Sequence, residues 1–155
     1  MRSDEVPDEL RRLAYDFFFW FSRFESALKE RRYLVSQQVG ARAKPNWDQF
    51  VAEFRESYTP SVAAKTLIEA SPQRQVVGEH ELTFEAISFP ENCPQLDQVV
   101  TLLKTARNNL FHGGKHGSSY WDDPERVRAL LAPSITILGE LAQHAGFGGD
   151  YTRYY

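Results

Sequence analysis

The stretch VVTLLKTARNNLFHGGKHG, residues 99–117, decides how the chain is read. Val99, Leu102, Leu103, Ala106 and Leu110 recur at three- and four-residue steps, the period of a helix with one buried face. The pattern predicts a helix that starts after Pro94 and stops at Gly113 and Gly114, where a residue without a Cβ closes the last turn. Arg107, Asn108, Asn109 and His112 stand at its end. That cluster is either a helix terminus whose cations complement the dipole or the working edge of a site. At about 100° per residue, Val99, Leu103, Ala106 and Leu110 share one side, and Asn108 and His112 lie together nearly opposite as i, i+4 neighbours. Arg107 falls on the flank of the apolar stripe, where its stem can run along hydrophobic surface to the edge. An ideal helix does not bring Arg107 and His112 together; fraying at Gly113 or a second copy of the same helix would.

Outward from this stretch, most of the chain also reads as helix. From Pro7 to about Leu34, Leu10, Leu13, Phe17, Trp20, Phe21, Phe24 and Leu28 repeat at helical spacing, with Pro7 in the first turn. Tyr15 and Phe19 lie on the other side, so this helix either runs through the middle of the domain or packs on a second subunit. PNWDQFVAEFRESY opens with Asn46 as N-cap and Gln49 three residues on, a capping box leading to a helix up to about Ser57. TPSVAAKTLIEASP predicts a further helix before Pro72. Between Gln75 and Phe89 the alternation of Leu82, Phe84 and Ala86 reads as a short strand pair or an extended loop. Asp123 and Pro124 start the last long helix as N-cap and N1, with Val127, Leu130, Leu131, Leu138 and Leu141 inward and Pro133 kinking or splitting it. The tail from about residue 146 is glycine-punctuated and aromatic, a docked or loose end.

Composition bounds the function. The 155 residues suit one domain, with 42% hydrophobic and 25% charged residues, near globular averages. A single cysteine, Cys93, excludes an internal disulfide, the first residues are too charged for a signal peptide, and no apolar run reaches the roughly 18 residues of a spanning helix. The expectation is a cytoplasmic protein with no membrane contact. A net charge of −3 argues against a broad basic face, so nucleic-acid chemistry has to be local. From Gln98 to Trp121 there is no Asp or Glu, while Lys104, Arg107, His112, Lys115 and His116 fall inside.

Other chemistries fit less well. His112 and His116 have H-x3-H spacing, but glycines break the helix that would aim them at a metal, and no third ligand is evident. GGKHGSS lacks the hydroxyl residue after Lys that a phosphate loop needs. No metal and no cofactor are expected. His80 and His144 read as lone surface residues, and Cys93 as structural.

RNNLFH, residues 107–112, is similar to the arginine, polar residue, histidine motif of HEPN domains, and FSRFESALKE, residues 21–30, resembles the first helix of a prokaryotic HEPN subgroup. The resemblance spans residues 10–145. It implies an all-α, up-and-down helical bundle over residues 1–155, commonly a homodimer whose motifs meet in a cleft between subunits. It also implies a metal-independent endoribonuclease, often a toxin or antiviral defence effector restrained by an antitoxin or other partner. Carried over by position, Arg107, Asn108 and His112 are the catalytic candidates. One family variant carries a tyrosine two residues past the histidine as the target of nucleotidyltransferase modification; Gly114 stands there in this chain. The chemistry stands without the resemblance. An imidazole with a pKa near about 6.5 can take the proton of an RNA 2′-hydroxyl that attacks the adjacent phosphate, and an arginine can offset the charge that develops.

Glu25 lies at the border of the first helix's apolar face, where a lone carboxylate is costly; it either reaches solvent or pairs with Arg107. Lys115 and His116 extend the phosphate track or are simply solvated. The competing expectation is a non-catalytic HEPN module that binds a nucleotide, RNA or a protein partner, since fold does not dictate activity. A purely structural helical domain would make the polar cluster an accident.

Overall fold

The computed structural model describes residues 6–112, the last of them by its backbone only, and 123–153. Among the described residues six helices and one hairpin follow in the order α1 (Asp8–Glu30), α2 (Trp47–Phe54), α3 (Val62–Ala70), β1 (Arg74–Val77), β2 (Leu82–Glu85), α4 (Gln95–His112), α5 (Pro124–His144) and α6 (Gly148–Thr152). The fold is mainly helical. α1 packs most extensively on α5, α3 also lies on α5, and α4 is flanked by α2 and α3.

Helix starts follow from local chemistry. The side chain of Asn46 accepts from the Gln49 amide at 3.0 Å, Ser61 from the Ala64 amide at 3.1 Å, and Asp123 from the Arg126 amide at 3.0 Å. Each satisfies an orphan donor, worth about 1 kcal/mol per cap.

The end of α1 departs from the sequence reading. The helix stops at Glu30, not Leu34, because Arg32 turns left-handed at φ 65°. The Arg32 amide then bonds the Lys29 carbonyl and the Tyr33 amide the Leu28 carbonyl, closing a Schellman turn. The same pattern ends α5, where Gly146 takes φ 70° and the Phe147 amide reaches the Ala142 carbonyl at 2.7 Å. Leu34 leaves the helix to bridge Pro45, folding residues 35–44 into a loop beside α4.

Three expectations left open by the sequence are decided. α5 is one helix, not two: it continues through a buried Pro133, and the Ser134 hydroxyl donates to the Leu130 carbonyl at 2.6 Å in the same turn. Residues 74–85 form an antiparallel hairpin, yet Leu82 and Ala86 are exposed and Phe84 is only half-buried, so its alternation does not mark a core face. The tail after Gly146 is docked. Phe147 and Tyr151 are buried, and Arg23 donates to the carbonyls of Asp150, Tyr151 and Arg153, capping the end of α6.

An aromatic centre joins the first half of the chain to its end. Phe24 has no exposed surface and lies 4.9 Å from Trp47, 5.4 Å from Phe50, and 6.3 Å from both Phe147 and Tyr151, ring centre to ring centre. Burying each such ring contributes about 1.5–3 kcal/mol. The α1 face opposite this centre is left open, with Tyr15 64%, Phe18 44% and Phe19 40% exposed. Among the described residues, no helix is long and apolar enough to cross a membrane.

Candidate functional site

Arg107 projects from the last turns of α4 toward α1, its stem on apolar surface and its head in reach of water. One terminal nitrogen lies 3.5 Å from Glu25 Oε1, with 32% of the Arg107 side chain and 25% of the Glu25 side chain exposed. The other donates to Asn108 Oδ1 at 2.9 Å. Its Cζ sits 5.2 Å from the centre of the Phe21 ring and 6.0 Å from that of Phe111. Trp47 Nε1 donates to the same Glu25 oxygen at 3.1 Å. A carboxylate at the border of an apolar face is thus held by an indole and a cation, and of its two expected fates the pairing with Arg107 is the one observed.

Trp47, Glu25, Arg107 and Asn108 therefore form a continuous polar chain across α2, α1 and α4. With Asn108 Oδ1 engaged by Arg107, its amide nitrogen remains the group that can donate outward. Asn109 points elsewhere, its amide donating to the Gln73 carbonyl at 2.7 Å and tying α4 to the segment before β1. His112 continues α4 by its backbone, and its side chain lies outside the described residues, as do Lys115, His116 and the glycine stop at residues 113 and 114.

The Glu25–Arg107 pair separates two depressions. On one side is a pocket of about 290 Å³ lined by Phe18, Phe21, Ser22, Glu25, Arg107 and Phe111. On the other is a groove of about 580 Å³ between α4 and the loop before α2, where Arg42, Lys44, Lys104 and Arg107 face Glu25 and Asp48. Among the described residues Arg42, Lys44 and Lys104 have no ion pair, so the groove carries an excess of positive charge on a chain of net charge −3. The site residues that sequence reasoning missed are Trp47, Phe111, Arg42 and Lys44. Trp47 sits beside a recognisable cap, but nothing in its spacing announces a bond to Glu25; the two loop cations reach the groove only through the Leu34–Pro45 bridge.

Cys93 is half-buried and hydrogen-bonds the Pro94 carbonyl. Burial, and then the Asp97 carboxylate, push its thiol pKa up, the opposite of an activated nucleophile. His144 is exposed, with its Nε2 3.0 Å from the Ser57 hydroxyl and its ring against Phe54 and Tyr58.

No protein-family model matches the chain, and no curated protein and no solved structure matches it.

Proposed function

We propose that the chain is a HEPN-like bundle acting as a metal-independent endoribonuclease, cleaving RNA at a composite site made by two copies and serving as a cytoplasmic toxin or defence effector held in check by a partner protein. The observation that carries this reading is the position of Arg107: a guanidinium fixed by Glu25 and Asn108 at the rim of a basic groove, on the helix that leads into His112. In the proposed reaction His112 of one copy removes the proton of a 2′-hydroxyl. The oxygen attacks the adjacent phosphorus, the bond to the 5′-oxygen breaks, and the partner copy's His112 returns a proton to that leaving group. Arg107 binds the phosphate and offsets its growing negative charge, and the Asn108 amide donates to a phosphate oxygen. Glu25 positions Arg107.

The second reading is a non-catalytic HEPN module that binds a nucleotide, RNA or a protein. The acidic balance of the whole chain favours it, since cations are concentrated only locally. Incubation of the purified protein with end-labelled RNA in EDTA separates the two. Cleavage by the wild type that disappears in His112→Ala, with the helical circular dichroism retained, supports the nuclease; intact RNA with every protein preparation supports the binding module.

A further inference from the structure

The two depressions that meet at Arg107 differ in chemistry in the way the two parts of a nucleotide do. The smaller is walled by aromatic rings. Phe18 and Phe111 lie 5.2 Å apart, centre to centre, tilted by 53°, with 44% and 52% of their surfaces exposed. Two open rings tilted to one another form an apolar cleft, and a nucleobase can stack its flat face on one ring while the other meets its edge. Ser22 lines the same pocket, and its hydroxyl, which donates to the Phe19 carbonyl, keeps lone pairs that can accept from a base amino group. The larger depression is a charged groove in which Arg42, Lys44 and Lys104 lack ion pairs among the described residues, as a row of phosphates requires. Glu25 and Arg107 line both.

We propose that a single-stranded RNA nucleotide straddles Arg107, its base stacked in the cleft that Phe18 and Phe111 form while the strand's neighbouring phosphates run along Lys104, Lys44 and Arg42. This rests on the reading of the chain as an RNA-directed protein, and it adds where the strand lies and which residues hold it. It also sets the form of the RNA. A base inside a duplex is stacked on its neighbours and cannot enter a side pocket, whereas an unpaired one can be splayed out. The pocket, about 290 Å³, is near the small end of the range for ligand sites.

The test is binding, read independently of cleavage, with a short fluorescein-labelled 2′-O-methyl RNA that lacks the attacking hydroxyl, used single-stranded and annealed to its complement. Phe111→Ala is expected to weaken single-strand binding about tenfold, the ordinary loss when one stacking ring is removed. Arg42→Gln with Lys44→Gln is expected to flatten the dependence of log affinity on log salt by about 0.7 for each cation removed. Wild-type protein should prefer the single strand to the duplex. Three results would each overturn the proposal: equal affinity for strand and duplex, a Phe111→Ala protein that binds like wild type, or an unchanged salt slope in the double variant. A Phe111→Ala protein whose sedimentation changes while its RNA affinity does not assigns the open rings to a second copy of the chain, again against the proposal. The nuclease reading fails separately. Wild type that binds as described but never cuts unmodified RNA loses the catalytic claim and keeps this one, and RNA cutting with binding indifferent to all these changes does the reverse.

Discussion

Arg107 on α4 and Glu25 on α1 meet at 3.5 Å, and the same Glu25 oxygen accepts from Trp47 Nε1 at 3.1 Å. One carboxylate therefore does two things: it satisfies a buried indole and it aims a cation. Substitution can separate them. Glu25→Gln keeps an oxygen for Trp47 and removes the charge from Arg107. Because the ion pair is partly solvated, stability should fall by less than about 1 kcal/mol. Glu25→Ala also orphans the indole N–H and should cost about 1–3 kcal/mol. Urea unfolding of both variants measures the difference, and equal losses would mean that Trp47 does not depend on Glu25.

The same pair predicts a kinetic split. If Glu25 positions Arg107 and does not itself touch RNA, Glu25→Gln should lower kcat for RNA cleavage by about tenfold, one misaligned charge-assisted contact in the transition state, with KM little changed. A loss confined to KM would instead place Glu25 among the binding groups.

Helix ends give a second pair of outcomes. Arg32 and Gly146 close equivalent turns in the left-handed region, but only one is glycine. Gly146→Ala should cost about 1 kcal/mol or more, since a Cβ is strained there, whereas Arg32→Gly should be neutral or stabilising by up to about 1 kcal/mol. Thermal melts of the two single variants report the signs directly.

The core prediction concerns Phe24, which is fully buried and touches rings from α2 and the C-terminal segment. Phe24→Ala should cost about 3–5 kcal/mol, because the surrounding rings cannot all collapse into the space. Chemical denaturation measures it; a loss under about 1 kcal/mol would show that the aromatic centre is not tightly packed.

At the other end of α1, Arg128 holds both oxygens of Glu9 at 2.8 Å. The hydrogen bonds from Arg128, and then its charge, keep the Glu9 carboxyl below its ordinary 4.5. A depressed carboxylate contributes stability that is complete above the unfolded value and is lost as pH falls through the lower folded one. The Tm gap between wild type and Glu9→Gln should therefore be present at neutral pH and close on acidification. A gap that is the same at every pH would mean that the charge is not what Glu9 supplies.

Much of the fold was legible where local chemistry decides it. Asn46 and Asp123 cap the helices they were expected to cap, and the apolar steps of α4 and α5 face the core. The end of α1 was not legible, since an arginine occupies the left-handed position that a glycine usually announces. Nor was the docking of the tail: Arg23 collects carbonyls from the far end of the chain, a contact no local spacing encodes. The site divides the same way. Arg107 and Asn108 stand out by their place at a helix end and by the motif that RNNLFH resembles, and Glu25 by the cost of a lone carboxylate. Arg42, Lys44 and Phe111 join them only because a bridge between Leu34 and Pro45 folds a loop beside α4 and because Phe111 leans on Phe18.

The most direct measurement of the central claim is the chemistry of the RNA ends left by the purified protein in EDTA, read by mass spectrometry. A 2′-hydroxyl attack assisted by His112 and Arg107 leaves a 2′,3′-cyclic phosphate on one fragment and a 5′-hydroxyl on the other. Arg107→Ala and His112→Ala should each abolish both while remaining folded. Fragments ending in 3′-hydroxyl and 5′-phosphate, or cleavage that survives either substitution, would contradict it.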